Sequence, residues 1–158
     1  MNPSPIASQA GVMDRIEEIL AAPDAALASG LSAVAQELLG LGETIIARWI
    51  EAQGGIPTQE RWEGFRVLAL QRQGAKGDPS FNACRETCRE LVYHRNLVVL
   101  DPGHPEVAHR LRLAAMVARH LALFIDGKLA IAGLGAFCCS SRPLREREDV
   151  RPAEILQA

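Results

Sequence analysis

Residues 81–99 carry the pattern that most restricts the fold. Drawn as an α-helix, Phe81, Cys84, Cys88, Leu91 and Val92 fall on one arc of about 80°, while Asn82, Arg85, Glu86, Arg89, Glu90 and Tyr93 cover the opposite side. Gly77-Asp78-Pro79 is strong turn punctuation, and Ser80 is placed to cap the helix with its hydroxyl. Arg95 falls inside the apolar arc, where its stem can pack while its head reaches a carboxylate or water. Leu97, Val98, Val99 and Leu100 are apolar and partly β-branched, so the helix is expected to fray into extended chain there.

The same period recurs along the chain. Residues 1–10 are polar with two prolines and read as a flexible tail. A short helix is expected over residues 11–22, with Val12, Ile16, Ile19 and Leu20 as its stripe and Pro23 as its stop. Asp24 is a candidate cap for the next helix. From Leu31 the stripe is Leu31, Ala35, Leu38, Ile45, Ile46 and Trp49. Gly40 and Gly42 interrupt it, marking a kink or break, or a close helix crossing. Gly54-Gly55 ends it. A third segment is expected from Pro57-Thr58 to about Gln73, with Trp62, Phe65, Leu68 and Ala69 inward. Trp49 and Trp62 are both assigned to the core.

After residues 81–99, Asp101-Pro102-Gly103-His104-Pro105 is a turn, with Pro105 suited to a first helical position. The helix after it is expected to reach Ile125, with Val107, Leu111, Ala114, Ala118, Leu121 and Ile125 as its main face. Asp126-Gly127-Lys128 is expected to separate it from a last buried helix over residues 129–139. Residues 141–158 alternate in charge and read as a solvated tail.

These patterns predict an all-α fold: a single compact bundle of five or six helices over residues 11–140, with flexible polar tails at 1–10 and 141–158. At 158 residues the chain is one domain long and can bury a core without staples. Its net charge of −2 argues against a nucleic-acid partner, which calls for a basic excess. No apolar run reaches the roughly 20 residues that span a bilayer, and the first dozen residues lack the basic start and apolar run of a signal peptide. A cytoplasmic setting with reduced thiols is the expectation.

Cys84 and Cys88 stand at i, i+4 on one helix face, with Cβ atoms about 6 Å apart. Two thiols there could share a soft metal or act as a redox pair, with Cys138 and Cys139 completing a four-thiolate site if the last helix packs alongside. The alternative is that both are small buried hydrophobes. The histidines, His94, His104, His109 and His120, form no ligand spacing and read as surface or capping residues. No phosphate loop, dinucleotide loop or nucleophile elbow is present in the sequence. Neither a cofactor nor a catalytic residue is assigned. Arg85, Glu86, Arg89 and Tyr93 make an exposed face of residue types enriched at interfaces and their hot spots, Arg and Tyr above all.

The block at residues 71–91, QRQGAKGDPSFNACRETCREL, resembles small helical proteins encoded among nitrogen-fixation genes of proteobacteria. The resemblance covers about one eighth of the chain and carries no catalytic or ligand role onto any residue. It implies an accessory factor that binds immature, damaged or cofactor-altered nitrogenase, or helps deliver its metal clusters. The leading expectation is thus a non-enzymatic protein that docks on a nitrogenase component through Arg85, Arg89, Tyr93 and Glu86. The rivals are a small thiol-based metal or redox protein using Cys84 and Cys88, and a helical enzyme with an unmarked pocket.

Overall fold

The computed structural model describes residues 9–76 and 82–133. They form six α-helices: α1 (Gln9–Ala21), α2 (Asp24–Ser29), α3 (Leu31–Ala52), α4 (Arg66–Ala75), α5 (Asn82–Leu100) and α6 (Val107–Ile131). Among the described residues the only strand-like pairing is an isolated bridge between Trp62 and Phe65. The all-α fold expected from the periodicity is observed. The described residues divide into two compact units, one up to Ala122 and the other from Leu123, with α6 spanning the boundary.

The first unit is built around α3, which packs on α1, α2, α4 and α5, while α4 and α5 also pack on each other. The reason lies in its composition. Ala35, Leu38, Leu39, Leu41, Ile45, Ile46, Trp49 and Ile50 are all buried, too many for a single stripe, so partners are needed on several sides. Each fully buried Leu or Ile contributes about 1.5–3 kcal/mol relative to exposure.

Gly40 and Gly42 do not break α3. Gly42 marks a close crossing: a Cβ there would lie 2.7 Å from Leu91 Cδ2 of α5, 3.5 Å from Val67 Cγ2 of α4 and 3.8 Å from Leu121 Cδ2 of α6. Gly40 faces open space. The helix stops in a Schellman motif. Gly54, at φ +83°, donates to Glu51 O, and the Gly55 N–H donates to Ile50 O, both at 2.9 Å.

α1 buries Val12, Ile16 and Ile19 as expected, although it starts at Gln9, inside the expected tail. Asp24 does not cap α2. Pro23 holds the N-cap position without a side-chain cap, and the Asp24 carboxylate instead accepts a hydrogen bond from Arg112 Nη2 of α6. Arg112 also donates to Ala22 O at 2.8 Å, and Arg119 pairs with Glu17 at 3.3 Å. These contacts tie the first part of α6 to the α1–α2 region. Arg15 joins α1 to α3 with two bonds to Glu37, at 2.6 and 2.8 Å, a planar fork on a carboxylate.

The segment expected from Pro57 is helical only from Arg66, as α4, where Leu68 and Ala69 are buried as expected. Glu63 and Gly64 both take positive φ, 53° and 89°, and Trp62 and Phe65 exchange two backbone hydrogen bonds of 3.0 Å across them. That two-residue turn is incompatible with a helix through it. Side chains of α4 strap the preceding loop down: Thr58 N donates to Gln73 Oε1, Gln73 Nε2 to Ile56 O, and Arg66 Nε to Thr58 O.

Two other expectations fail because helical packing outweighs local signals. α5 stays helical to Leu100, since Val98 lies one heptad after Leu91 and both are fully buried. Asp126-Gly127-Lys128 does not divide α6, which runs on to Ile131. A helical glycine costs only about 1 kcal/mol, and Leu121, Ile125 and Leu129 continue one buried face through it. α6 begins at Val107 rather than Pro105, because His104 Nδ1 accepts the Glu106 N–H at 3.0 Å and holds the turn. In the second unit, Lys128 Nζ lies 5.9 Å from the Phe124 ring centroid. The expected Ser80 cap, residues 134–139 of the expected last helix and the 141–158 tail lie outside the described residues.

The two glycines of α3 should respond with opposite signs. Gly40→Ala should stabilise by about 0.5–1 kcal/mol through helix propensity. Gly42→Val should destabilise by about 1–3 kcal/mol through overpacking. Urea unfolding of the two variants measures both, and equal effects would contradict the crossing at Gly42.

Candidate functional site

The outward face of α5 is arranged as its sequence pattern requires. Cys84, Cys88 and Leu91 point inward and are essentially inaccessible, whereas Arg85, Glu86, Arg89, Glu90 and Tyr93 are exposed. Tyr93 is 59% exposed and packs edge-on to His94, with centroids 5.4 Å apart. Arg85 lies 3.6 Å from Glu86. Arg89 reaches off the helix to Glu63 in the two-residue turn, at 3.2 Å.

That ion pair brings α5 beside a residue misplaced by the sequence pattern. Trp62 is 41% exposed rather than in the core, while Trp49 is buried as expected. The turn lifts Trp62 out of the helical register that would have turned it inward. The guanidinium of Arg72 sits 3.8 Å above its ring centroid, a stacked cation–π contact. Trp62, Glu63, Leu68, Gln71, Arg72, Arg85 and Arg89 together line a groove of about 140 Å³. Three guanidiniums face it beside an exposed aromatic ring; Arg89 is paired with Glu63 and Arg85 with Glu86, and Arg72 is stacked on Trp62. Tyr93 and Glu86 are not among its lining residues.

The turn was the missed signal. Glu63-Gly64 between aromatic residues is a two-residue hairpin candidate, but glutamate is not among the residues that usually accept positive φ. Read as helix, Trp62 falls in step with Phe65 and Ala69. Read as a turn, it is freed to face solvent.

The structure brings the two described thiols together. Cys84 Sγ and Cys88 Sγ are 3.9 Å apart, buried and unbridged. Their hydrogen bond, then burial, push the Cys88 thiol well above the ordinary thiol range, so it is held protonated and is a poor nucleophile or metal ligand. Among the described residues no group of three or more His, Cys, Asp or Glu side chains is placed to hold a metal ion. Cys138 and Cys139 lie outside the described residues.

His109 and His120 are exposed, and His104 serves the turn before α6. His94 is half-buried, and its Nδ1 has no hydrogen-bond partner. Burial lowers its pKa, with Glu90 opposing. No described helix is long and apolar enough to cross a membrane. No protein-family model matches the sequence, and neither curated proteins nor solved structures give a significant match.

The protonated Cys88 thiol sets a pH dependence. Its folded pKa lies above the unfolded value of about 8.5, so its contribution is complete below that pH and is lost as pH rises towards the folded value. The stability gap between the wild type and Cys88→Ala should therefore shrink between pH 7 and pH 10 in urea titrations. A gap that widens with pH would mean that Cys88 is an ionised thiolate in the fold.

Proposed function

We propose that this protein is a non-enzymatic accessory factor that docks on a partner protein, and that the partner is a nitrogenase component. The observation that supports docking is the groove in which Trp62 stands exposed under Arg72, flanked by Arg85 and Arg89. An aromatic anchor ringed by arginines has the composition of an interface hot spot. With Arg72 stacked on the tryptophan and Arg85 and Arg89 beside it, the complementary surface is acidic and supplies an apolar side chain for the tryptophan.

The same geometry favours Arg85 and Arg89 as primary contacts and moves Tyr93 and Glu86 to the rim. Glu63 holds Arg89 in place in the free protein, so part of the ordering cost of binding is already met. The nitrogenase assignment rests on the resemblance of residues 71–91, which include Gln71, Arg72, Arg85 and Arg89 of the groove.

The test is affinity capture of the protein, tagged at its chromosomal locus, from cells grown with and without fixed nitrogen. A stoichiometric nitrogenase component, captured only under fixing conditions, is the expected result. Arg89→Ala and Trp62→Ala should each weaken capture at least tenfold. Loss of the exposed Arg89–Glu63 pair should cost at most about 1 kcal/mol of stability, so thermal unfolding of the Arg89 variant should stay close to wild type. Absence of any nitrogenase component under fixing conditions would overturn the partner assignment, and undiminished capture by both variants would remove this groove as the interface.

A further inference from the structure

The other half of the two-residue turn, Gly64 and Phe65, belongs to a second concavity of about 330 Å³. That is the size of a small-molecule site, and half of its six polar side chains are arginines. Arg61, Arg66 and Arg95 line it, with Glu43 as the single carboxylate. Two positive charges therefore have no carboxylate counterpart within the lining.

The three arginines differ in how far the protein satisfies them. Arg66 is committed, with Nη1 to Glu43 at 3.3 Å and Nε to Thr58 O at 2.9 Å. Arg95 has only neutral acceptors: Nη1 donates to Asn96 Oδ1 at 2.9 Å, and Nη2 makes a long 3.4 Å contact with Gln36 Oε1. Its Nε–H is buried and has no partner. A buried, unpaired donor on a charged group is costly, and the exposed Nη2 end of the same guanidinium, held only by the long contact to Gln36, is free to make a charge-assisted bond to an oxyanion. Arg61 is exposed and takes part in no hydrogen bond or ion pair among the described residues. The wall formed by Gly64, Phe65 and Arg66 is also the start of α4, which has no side-chain cap, so the positive end of that helix dipole adds to the same field.

We propose that this concavity binds a small molecule carrying two or more oxyanion charges, with Arg95 and Arg61 as its principal contacts and Arg66 held in position by Glu43. The site uses different residues from the Trp62 groove and does not depend on the docking assignment.

Isothermal titration of the intact protein with inorganic pyrophosphate and, separately, with citrate tests this at constant ionic strength. At least one anion should bind at millimolar concentration or below. Arg61→Gln should weaken that binding about tenfold, the loss of one charge-assisted hydrogen bond, with the melting temperature of the anion-free protein unchanged. Arg119→Gln, which removes a surface charge on α6, should bind like wild type. Preference for pyrophosphate identifies a phosphate ligand, and preference for citrate a carboxylate ligand. Failure of both anions to bind the wild type would overturn the proposal. So would undiminished binding by Arg61→Gln, or equal losses in the Arg61 and Arg119 variants.

Discussion

The crossing at Gly42 is the constraint on which the first unit depends. A single missing methyl group lets Leu91 of α5 close on the backbone of α3, at a point that Val67 of α4 and Leu121 of α6 also border. Close packing at that point brings α4 and α5 near enough to share a groove, and the exposed features follow from it. With α5 seated on α3 through Leu91, its arginines face outward. With α4 seated through Val67 and Leu70, Arg72 reaches the ring of Trp62. The surface chemistry is thus a consequence of how tightly α3 can be approached.

The Glu63-Gly64 turn is the second organising element. It projects one aromatic side chain, Trp62, to a groove and another, Phe65, to a different concavity. Glu63 adopts a backbone conformation that non-glycine residues seldom take, and its carboxylate is held by Arg89. Ion pairing by Arg89, stacking by Arg72 and hydrogen bonding by Arg66 together fix a loop that local propensity would not. Arginine suits the task because its rigid planar fork can stack and donate at once.

Several parts of this arrangement are readable residue by residue. The spacing of Val12, Ile16 and Ile19 reports α1, Gly54-Gly55 reports the Schellman end of α3, and the division of α5 into thiol and arginine faces is correct. The errors have two opposite causes. Asp126-Gly127-Lys128 and the β-branched end of α5 are weak local breakers, and each is outweighed by a buried face that continues across it. The stretch before α4 fails in the opposite direction: its apolar residues match a helical period, but a two-residue turn places them elsewhere. Of the candidate site, Arg85 and Arg89 were legible from the pattern of α5. Trp62, Arg72, Glu63 and the Arg61–Arg66–Arg95 cluster were not, because they meet only through contacts between separate elements.

By itself, the sequence determined the helical class and the inward side of the principal helices. Those follow from apolar periodicity and from glycine and proline punctuation, which act over a few residues. Tertiary structure alone decided that Gly42 is a crossing and Gly40 is not, that Trp62 faces solvent, and that the two thiols pack against each other with Cys88 held protonated. It also decided which arginines share a pocket. These outcomes depend on distances between side chains remote in sequence, and on a competition between burial and local propensity that no short window of residues contains.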